Sequence, residues 1–262
     1  MSDSRDLLRA ASARLAAAGI DNPRLEARVL WEAAGDPERF EVFIARRIAR
    51  EPVAYITGHK EFWSRDFVVA PGVLIPRPDT ETIIEQVMAE FPDRSAPLKV
   101  LDFGTGSGCI LAAVLTEFPN AKGLGIEASD QARIIALTNM ARLDLSGRAE
   151  VRAGNWDENL DGRFDVIVSN PPYIPTADIA GLEPDVRDYE PVSALDGGAD
   201  GLDAVRALAP ALKRLGGTAF VEIGIGQGEA ASAILAAAGL QVLRVASDLA
   251  GVSRIVIARA KK

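Results

Sequence analysis

The fold is decided by the stretch Lys99-Val-Leu-Asp-Phe-Gly-Thr-Gly-Ser-Gly-Cys109. Its first five residues have the apolar, β-branched character of a buried strand, and the residues from Cys109 onward favour a helix. The glycines between them let the backbone turn sharply and approach a ligand closely. The order of strand, glycine turn and helix predicts a nucleotide-binding crossover of a parallel sheet.

Strand patterns alternate with helical patterns downstream of this loop. The expected strands are Lys99–Phe103, Gly123–Glu127, Ala149–Arg152, Phe164–Ser169, Thr218–Glu222, Gln241–Val245 and Arg254–Ala258. This alternation predicts an α/β fold in which helices cover both faces of a mostly parallel, doubly wound sheet of seven strands. Only a short turn separates the last two strands, so we expect them to pair antiparallel. The stretch 174–200 has no clear period, which is typical of a functional insertion.

The residues upstream of the sheet have helical spacing. We expect three parts: a helical bundle over residues 1–60, a β-hairpin and linker helix over 61–97, and the sheet domain over 98–262. In the bundle, a helix that begins at Pro23 is expected to bury Leu25, Val29, Leu30 and Ala33. Arg46, Arg47 and Arg50 are expected on an outer, solvated face that an acidic partner protein could use.

Composition limits the functional classes. The 262 residues are 48% hydrophobic, which is enough to fill the core of a folded protein, and the net charge is −8. This charge repels phosphate backbones, so direct nucleic-acid binding is not expected. One cysteine, Cys109, and one histidine, His59, provide neither an internal disulfide nor a His/Cys metal cluster. The chain has no apolar run of the ~20 residues that a membrane span needs, so we expect a cytoplasmic protein without a metal or a membrane anchor.

The glycine spacing indicates the kind of ligand. The spacing is G-x-G-x-G over Gly104, Thr105, Gly106, Ser107 and Gly108, whereas a pyrophosphate is seated by G-x-G-x-x-G. A ligand with a nucleoside but no diphosphate fits better, and S-adenosylmethionine has that composition. About 20 residues downstream, Glu127 ends the second strand, where its two oxygens can accept from both ribose hydroxyls. Asp102, beside the loop, is expected to attract the positive charges of this ligand. The alternative is a tight turn with no ligand.

The third strand is followed by Gly154-Asn-Trp156. In this fold the adenine ring would lie here, so Asn155 can pair with its edge and Trp156 can supply a flat apolar surface. A single tryptophan at such a position more often serves packing alone.

The fourth strand runs directly into Asn170-Pro-Pro-Tyr173. An amide or aromatic amine nitrogen is a weak nucleophile because its lone pair is delocalised. The Asn170 side-chain oxygen and the Pro171 carbonyl can each accept one of its two N–H bonds, which directs the lone pair at the methyl donor. Pro171 and Pro172 stiffen the backbone that presents these acceptors, and Tyr173 can stack on the flat acceptor group. We therefore predict a methyltransferase in which Asn170, Pro171 and Tyr173 are catalytic and the whole loop binds the substrate.

Several segments together resemble one family, the release-factor glutamine methyltransferases of the HemK/PrmC type. They are Asp102–Gly108, Asn170-Pro-Pro-Tyr-Ile174, Arg77-Pro-Asp-Thr-Glu81, Tyr189-Glu-Pro191 with Ala194-Leu-Asp-Gly-Gly198, Glu222-Ile-Gly224, and Arg50-Glu-Pro-Val-Ala-Tyr-Ile-Thr-Gly58 followed by Glu61-Phe62. The resemblance covers nearly the whole chain. It implies a Rossmann-like methyltransferase sheet, with the N-terminal helical domain helping to dock a peptide chain release factor.

The resemblance also implies a reaction and residue roles. The reaction is transfer of a methyl group from S-adenosylmethionine to N5 of the glutamine in a Gly-Gly-Gln loop. Gly104–Gly108, Glu127, Trp156 and Asn170 would contact the cofactor, and residues 170–173 would receive the glutamine. The chain departs from the family at Glu127 and Asn155, where aspartate is usual.

Three other functions stay open at this point. An adenine-N6 methyltransferase acting on DNA or RNA uses a related loop, although the acidic charge counts against it. The second is a non-enzymatic binding module, and the intact glycine and Asn170 loops argue against it. The third is a nicotinamide dehydrogenase, and the glycine spacing argues against it.

Overall fold

The computed structural model describes residues 2–156 and 160–260. The helices are α1 (Ser2–Ala17), α2 (Pro23–Ala34), α3 (Pro37–Ile48), α4 (Val53–Thr57), α5 (Glu81–Glu90), α6 (Cys109–Glu117), α7 (Asp130–Arg142), α8 (Pro184–Arg187), α9 (Asp203–Leu215) and α10 (Gly228–Ala237). The strands are β1 (His59–Phe62), β2 (Arg65–Val68), β3 (Lys99–Phe103), β4 (Lys122–Glu127), β5 (Ala149–Ala153), β6 (Val166–Ser169), β7 (Thr218–Glu222), β8 (Leu240–Ser247) and β9 (Ser253–Ala260).

Helices α1 to α4 enclose a small apolar core of their own. Asp36 begins α3, because its carboxylate accepts from the Arg39 amide at 2.9 Å. The expected buried side of α2 is confirmed for Leu30, which is fully buried, and wrong for Leu25 and Val29, which are 52% and 37% exposed, and for Ala33, which is also exposed. The other buried residues of α2 are Ala27 and Ala34, small side chains that the spacing of the larger ones does not indicate.

A two-stranded hairpin and a linker connect the bundle to the sheet. Strand β1 begins at His59, two residues before the expected start of this segment at residue 61, and pairs antiparallel with β2. The buried Asn139 of α7 fixes the hairpin. Its Oδ1 accepts from the Val68 amide, and its Nδ2 donates to the Val68 carbonyl and, at 2.8 Å, to the Ser107 carbonyl. The hairpin is therefore held against the glycine loop.

The main sheet has seven strands in the order β5-β4-β3-β6-β7-β9-β8, with only β9 antiparallel to its neighbours. This confirms the predicted doubly wound α/β sheet. The order reverses between β3 and β6, and ligands bind outside the carboxyl ends of the strands at such a reversal. Strands β6 and β7 are buried along their whole length, as is typical of a parallel sheet covered on both faces. None of the described helices is long and apolar enough to pass through a membrane.

The insertion 174–200 folds back over the carboxyl edge of the sheet and contacts the helical bundle. Asp185 lies 2.7 Å from both Arg47 and Arg50, and the Tyr189 hydroxyl donates to the Ala49 carbonyl at 2.6 Å. The expected solvated arginine face is thus wrong for Arg47, which is only 4% exposed. Burial alone would lower the pKa of Arg47, but hydrogen bonds and charge from Glu26 and Asp185 raise it.

Candidate active site

A cavity of about 420 Å³ opens at the carboxyl edge of β3, β4 and β6. Its wall includes Gly72, Val73, Leu74, Pro76, Arg77, Thr80, Gly104, Thr105, Gly106, Ser107, Cys109, Ile110, Ile126, Glu127, Ala128, Ser129, Ala132, Gly154, Asn155, Trp156, Asn170, Pro172, Pro191, Ser193 and Ala194. The volume suits a ligand of cofactor size. The cavity joins the two loops that the sequence singled out.

The glycine loop forms the floor of the cavity. Gly104, Gly106 and Gly108 have φ values of 67°, 56° and 80°, in the left-handed region that side chains disfavour. The Gly104 and Thr105 amides donate to the Ile126 carbonyl at 2.9 and 3.0 Å, which ties the loop to β4. The cradle is therefore preformed without bulky side chains.

Glu127 ends β4 and lies at the cavity wall beside the loop. One carboxylate oxygen accepts from the Gly106 amide at 2.8 Å, and the other accepts from the Ser129 amide at 2.9 Å. Each oxygen keeps a further lone pair, so the carboxylate is fixed in place and can still accept from a pair of hydroxyls.

Asp102 and Cys109 lie beneath the loop. Burial raises the pKa of Asp102 to about 7; the hydrogen bond from Thr105, 2.6 Å long, opposes this increase, and the charge of Glu127 adds to it. The Asp102 Oδ1 atom is buried and has no hydrogen-bond partner among the described residues. Burial likewise raises the pKa of the Cys109 thiol to about 12, so it is a packed, unreactive group rather than a nucleophile.

Asn155 and Trp156 line the cavity on its β5 side. Asn155 is exposed, and the half-buried Trp156 packs on the apolar core next to the glycine loop. Trp156 has a φ of 43°, which turns the chain at this point. The site therefore presents one amide and one aromatic surface to the cavity.

The Asn170 loop follows β6 and forms the opposite wall. Asn170 and Pro172 line the cavity, whereas Pro171 is buried beside it. The Asn170 Nδ2 group donates to the Thr80 hydroxyl at 3.1 Å, so the side-chain nitrogen is engaged by the linker. Its oxygen is thereby the atom available to accept from a ligand.

Tyr173 lies behind this wall, packed so closely on Gly224 that a Cβ on that glycine would come within 3.2 Å of the ring. Burial raises the pKa of Tyr173 to about 12, and the charge of Glu222 adds to it. The pKa of Glu222 is itself raised to about 7 by burial, although the hydrogen bonds from Thr80 and Tyr173 and the charge of Arg254 oppose the change.

Arg77 and Glu190 join the linker to the insertion at the cavity rim. The buried Glu190 carboxylate accepts from the Ile75 amide at 3.0 Å and from the Arg77 guanidinium. Arg77 lines the cavity as well. This pair holds the insertion over one side of the opening.

The structure brings most of the predicted site residues to one cavity. Gly104–Ser107, Glu127, Asn155, Trp156, Asn170 and Pro172 line it, while Gly108, Pro171 and Tyr173 lie directly behind the lining. Sequence reasoning assigned no role to Thr80, Arg77, Glu190 or Glu222, although all four occur in segments that carry the family resemblance. Polar residues within those segments were the signal that could have identified them.

The residues present fit S-adenosylmethionine. The glycine loop lets a ligand approach closely, and its spacing is not that of a phosphate-binding loop. Glu127 presents two fixed oxygens to a ribose. The unpartnered Asp102 oxygen adds negative character below the loop, which suits a cationic ligand.

Comparison with known proteins gives the family. A model of the methyltransferase small domain matches residues 79–180, and a model of the PrmC N-terminal domain matches residues 6–39. The hMettl16 catalytic domain, solved in complex with a MAT2A 3′UTR hairpin, superposes with a TM-score of 0.59 over 85% of this chain and 80% of that one, at 17% identity. This superposition shows a shared fold.

The curated relatives are much more similar. The release factor glutamine methyltransferase of Caulobacter vibrioides is 45% identical over 95% of this chain and 93% of its own length. The proteins of the same name from Rhodospirillum rubrum and Geobacter sulfurreducens are 43% and 42% identical, over 94% and 92% of this chain and 82% and 91% of their own lengths. The chain is therefore an S-adenosylmethionine-dependent methyltransferase, and it belongs to the release factor glutamine methyltransferase family.

Proposed function

We propose that this enzyme transfers the methyl group of S-adenosylmethionine to the N5 atom of the glutamine in the Gly-Gly-Gln motif of peptide chain release factors. The names of the relatives support a glutamine of a release factor as the substrate. The position of Asn170 carries the proposal on the structural side, because a carboxamide oxygen faces the ligand cavity from the end of the central strand β6.

Capture of an amide nitrogen is the main task of the acceptor loop. The Asn170 side-chain nitrogen donates to Thr80, which leaves Oδ1 and the Pro171 carbonyl to accept the two N–H bonds of the substrate. Held in this way, the nitrogen has its lone pair directed toward the cradle of the methyl donor. Tyr173, neutral because its pKa is raised to about 12, supports the wall against which the flat amide lies.

The chemistry needs no nucleophilic side chain. When bound, S-adenosylmethionine would supply a methyl group on a positively charged sulfur, which leaves as a neutral thioether. The methylated nitrogen gives up one N–H proton to water. Positioning and the two acceptors therefore carry most of the rate enhancement. We assign cofactor binding to Gly104, Thr105, Gly106, Ser107, Gly108, Glu127, Asn155, Trp156 and Asn170.

Docking of the protein substrate is assigned to residues 1–60 together with the insertion. The insertion contributes Pro191, Ser193 and Ala194 to the cavity wall, and the contacts of Asp185 with Arg47 and Arg50 join it to the bundle. Because release factors act in translation, we place the reaction in the cytoplasm.

Mass spectrometry of a release factor incubated with the enzyme and S-adenosylmethionine tests the function. We expect the peptide that contains the Gly-Gly-Gln glutamine to gain the mass of one CH₂ group. Asn170→Ala should reduce turnover by about 100-fold or more while cofactor affinity stays within a few-fold, as for the loss of a group that acts mainly in the transition state. Methylation of an adenine-containing oligonucleotide in place of the release factor would overturn the proposal in favour of the adenine-N6 reaction.

A further inference from the structure

Glu222 is a buried carboxylate to which neither the family resemblance nor the proposed reaction assigns a role. It is the last residue of β7 and is 1% exposed, and its Oε2 atom has no hydrogen-bond partner among the described residues. Strand β7 pairs in parallel with β6, with Val221 opposite Ser169. The register therefore places Glu222 level with Asn170 at the carboxyl edge of the sheet.

Thr80 connects the two side chains. Its hydroxyl, 2% exposed, accepts from Asn170 Nδ2 at 3.1 Å. The same hydroxyl has one proton of its own, and its interaction with the Glu222 carboxylate opposes the rise in the pKa of that group. Tyr173, the last residue of the acceptor loop, opposes the rise in the pKa of Glu222 as well.

The direction of these hydrogen bonds decides which end of the Asn170 amide faces the substrate. A carboxylate only accepts, so Thr80 must donate to Glu222 and has only lone pairs left for Asn170. The Asn170 nitrogen must then face Thr80, which leaves its oxygen for the substrate N–H. With a protonated or neutral group at position 222, Thr80 could donate to the Asn170 oxygen. The Asn170 amide could then flip, which exchanges the positions of its nitrogen and oxygen.

We propose that Glu222 is a positioning residue that fixes the orientation of the Asn170 side chain through Thr80. This inference rests on the proposed function, because it assumes that Asn170 accepts from a substrate amide. The carboxylate touches neither the substrate nor the cofactor and acts through the linker hydroxyl.

The surroundings of Glu222 leave it dependent on these hydroxyls. Arg254 of β9 is the nearby cation, but it already pairs with Asp79 at 2.7 Å and with Asp248 at 2.9 Å. Asp79 repels the carboxylate, and among the described residues the neutral Tyr173 of the loop and Cys109 of α6 interact with it as well. With its pKa raised to about 7, Glu222 loses its charge as the pH falls below neutrality.

The experiment compares Glu222→Gln, Thr80→Val and the double variant with wild type on a release factor substrate. We expect each single variant to lower kcat by about 10- to 100-fold, with KM for S-adenosylmethionine within about twofold, because a misdirected acceptor mainly affects the reacting geometry. The double variant should be no slower than the slower single variant, since both changes interrupt one chain of hydrogen bonds. Thr80→Ser, which keeps the hydroxyl, should restore most of the activity.

Thr82→Val is the matched control, since Thr82 is also buried in α5 but is not part of the chain of hydrogen bonds. It should retain wild-type kcat. The kcat of wild type should fall as the pH drops through about 7, and Glu222→Gln should lack this decrease. The inference would be overturned if the kcat losses of the two single variants multiplied in the double variant. It would also be overturned if Glu222→Gln kept the pH dependence of kcat that wild type has. Absence of release factor methylation by wild type would instead overturn the proposed function.

Discussion

Two carboxyl groups at the site are buried, and both have a pKa raised to about 7. Asp102 lies beneath the glycine loop and Glu222 lies behind the acceptor loop, and burial is the main cause in each case. A carboxyl group whose pKa is higher in the folded than in the unfolded state favours folding most at low pH. Its contribution is lost as the pH rises from about 4, the unfolded value, through about 7. The binding site is therefore built at a cost in stability at neutral pH.

Asp102→Asn should remove this pH dependence at one of the two groups. We expect the free energy of unfolding of the variant, relative to wild type, to increase between pH 5 and pH 8, because the amide carries no charge to desolvate. Denaturant unfolding of the ligand-free protein at both pH values measures the difference. A relative free energy that stays constant or decreases over this range would contradict the assignment.

Gly201, the residue directly after the insertion, lies very close to the acceptor loop. Its φ is 76°, and a Cβ at this position would lie 2.2 Å from the Tyr173 carbonyl oxygen. We expect Gly201→Ala to destabilise the protein by about 2 to 4 kcal/mol and to reduce turnover, since backbone must move to accommodate the methyl group.

Gly251→Ala separates this collision from backbone strain. Gly251 has a similar φ of 81° but open space around it. This control variant should lose only about 1 kcal/mol of unfolding free energy, because alanine disfavours the left-handed conformation. Its turnover should be unchanged. Denaturant unfolding and kcat measure both variants, and equal losses would show that the contact with Tyr173 is unimportant.

At the scale of secondary-structure elements, a buried ion pair joins the insertion to α3. Arg47, whose side chain is 5% exposed, lies 2.7 Å from Asp185 and 2.6 Å from Glu26. Within the insertion itself, Arg187 and Asp188 form a second pair at 2.7 Å, but their side chains are 40% and 49% exposed. The two pairs differ mainly in burial, which is the property that sets the strength of an ion pair.

Asp185→Asn should lower the free energy of unfolding by about 2 to 4 kcal/mol, because it leaves the buried Arg47 charge only partly compensated. Asp188→Asn, in the same segment, should change it by at most about 1 kcal/mol. Amide hydrogen exchange should also become faster over residues 174–200 in Asp185→Asn alone. If the two variants were equally stable, the insertion would not be held to the bundle by this contact.

The sequence was sufficient for elements whose pattern is local. All seven strands of the sheet were predicted, because apolar or β-branched residues recur in each of them and glycine or polar segments separate them. Helices α4 and α8, of five and four residues, are too short to show a period. The buried side of α2 was predicted correctly only at Leu30, because the rest of it depends on which neighbours pack against the helix.

The location of the candidate site could likewise be predicted where it depends on local sequence patterns. The glycine loop, Glu127 and Asn170 follow strands directly, so the position of each strand end places them. Thr80 and Glu222 are far from Asn170 along the chain. The pairing of β6 with β7 brings Glu222 beside Asn170, and the position of the linker before α5 brings Thr80 there. Spacing in the sequence contains no information on such a contact.

At the scale of the whole molecule, ligand binding should stabilise the folded state, because only the assembled sheet edge forms the cavity. At a concentration of S-adenosylmethionine about 100-fold above its Kd, we expect a gain of about 2.7 kcal/mol. For a chain of this size this corresponds to an increase of roughly 5 to 10 °C in Tm.

Glu127→Ala should lose most of this increase, because the variant lacks the carboxylate assigned to the ribose. Glu150→Ala, which removes an exposed carboxylate on the neighbouring strand β5, should retain it. A thermal unfolding series with and without the cofactor measures both, and an undiminished shift in Glu127→Ala would remove this residue from the cofactor site.

The adjacency of β3 and β6 has a consequence for how this enzyme can change specificity. Phe103 and Ser169 are paired in register, and the two loops that follow them approach the reacting atoms from neighbouring strands about 4.8 Å apart. The distance between the methyl donor and the methyl acceptor is thus set by the backbone pairing of β3 with β6 and not by any loop. New recipients can be selected by rebuilding the outlying bundle and insertion, while the reaction distance is preserved unchanged.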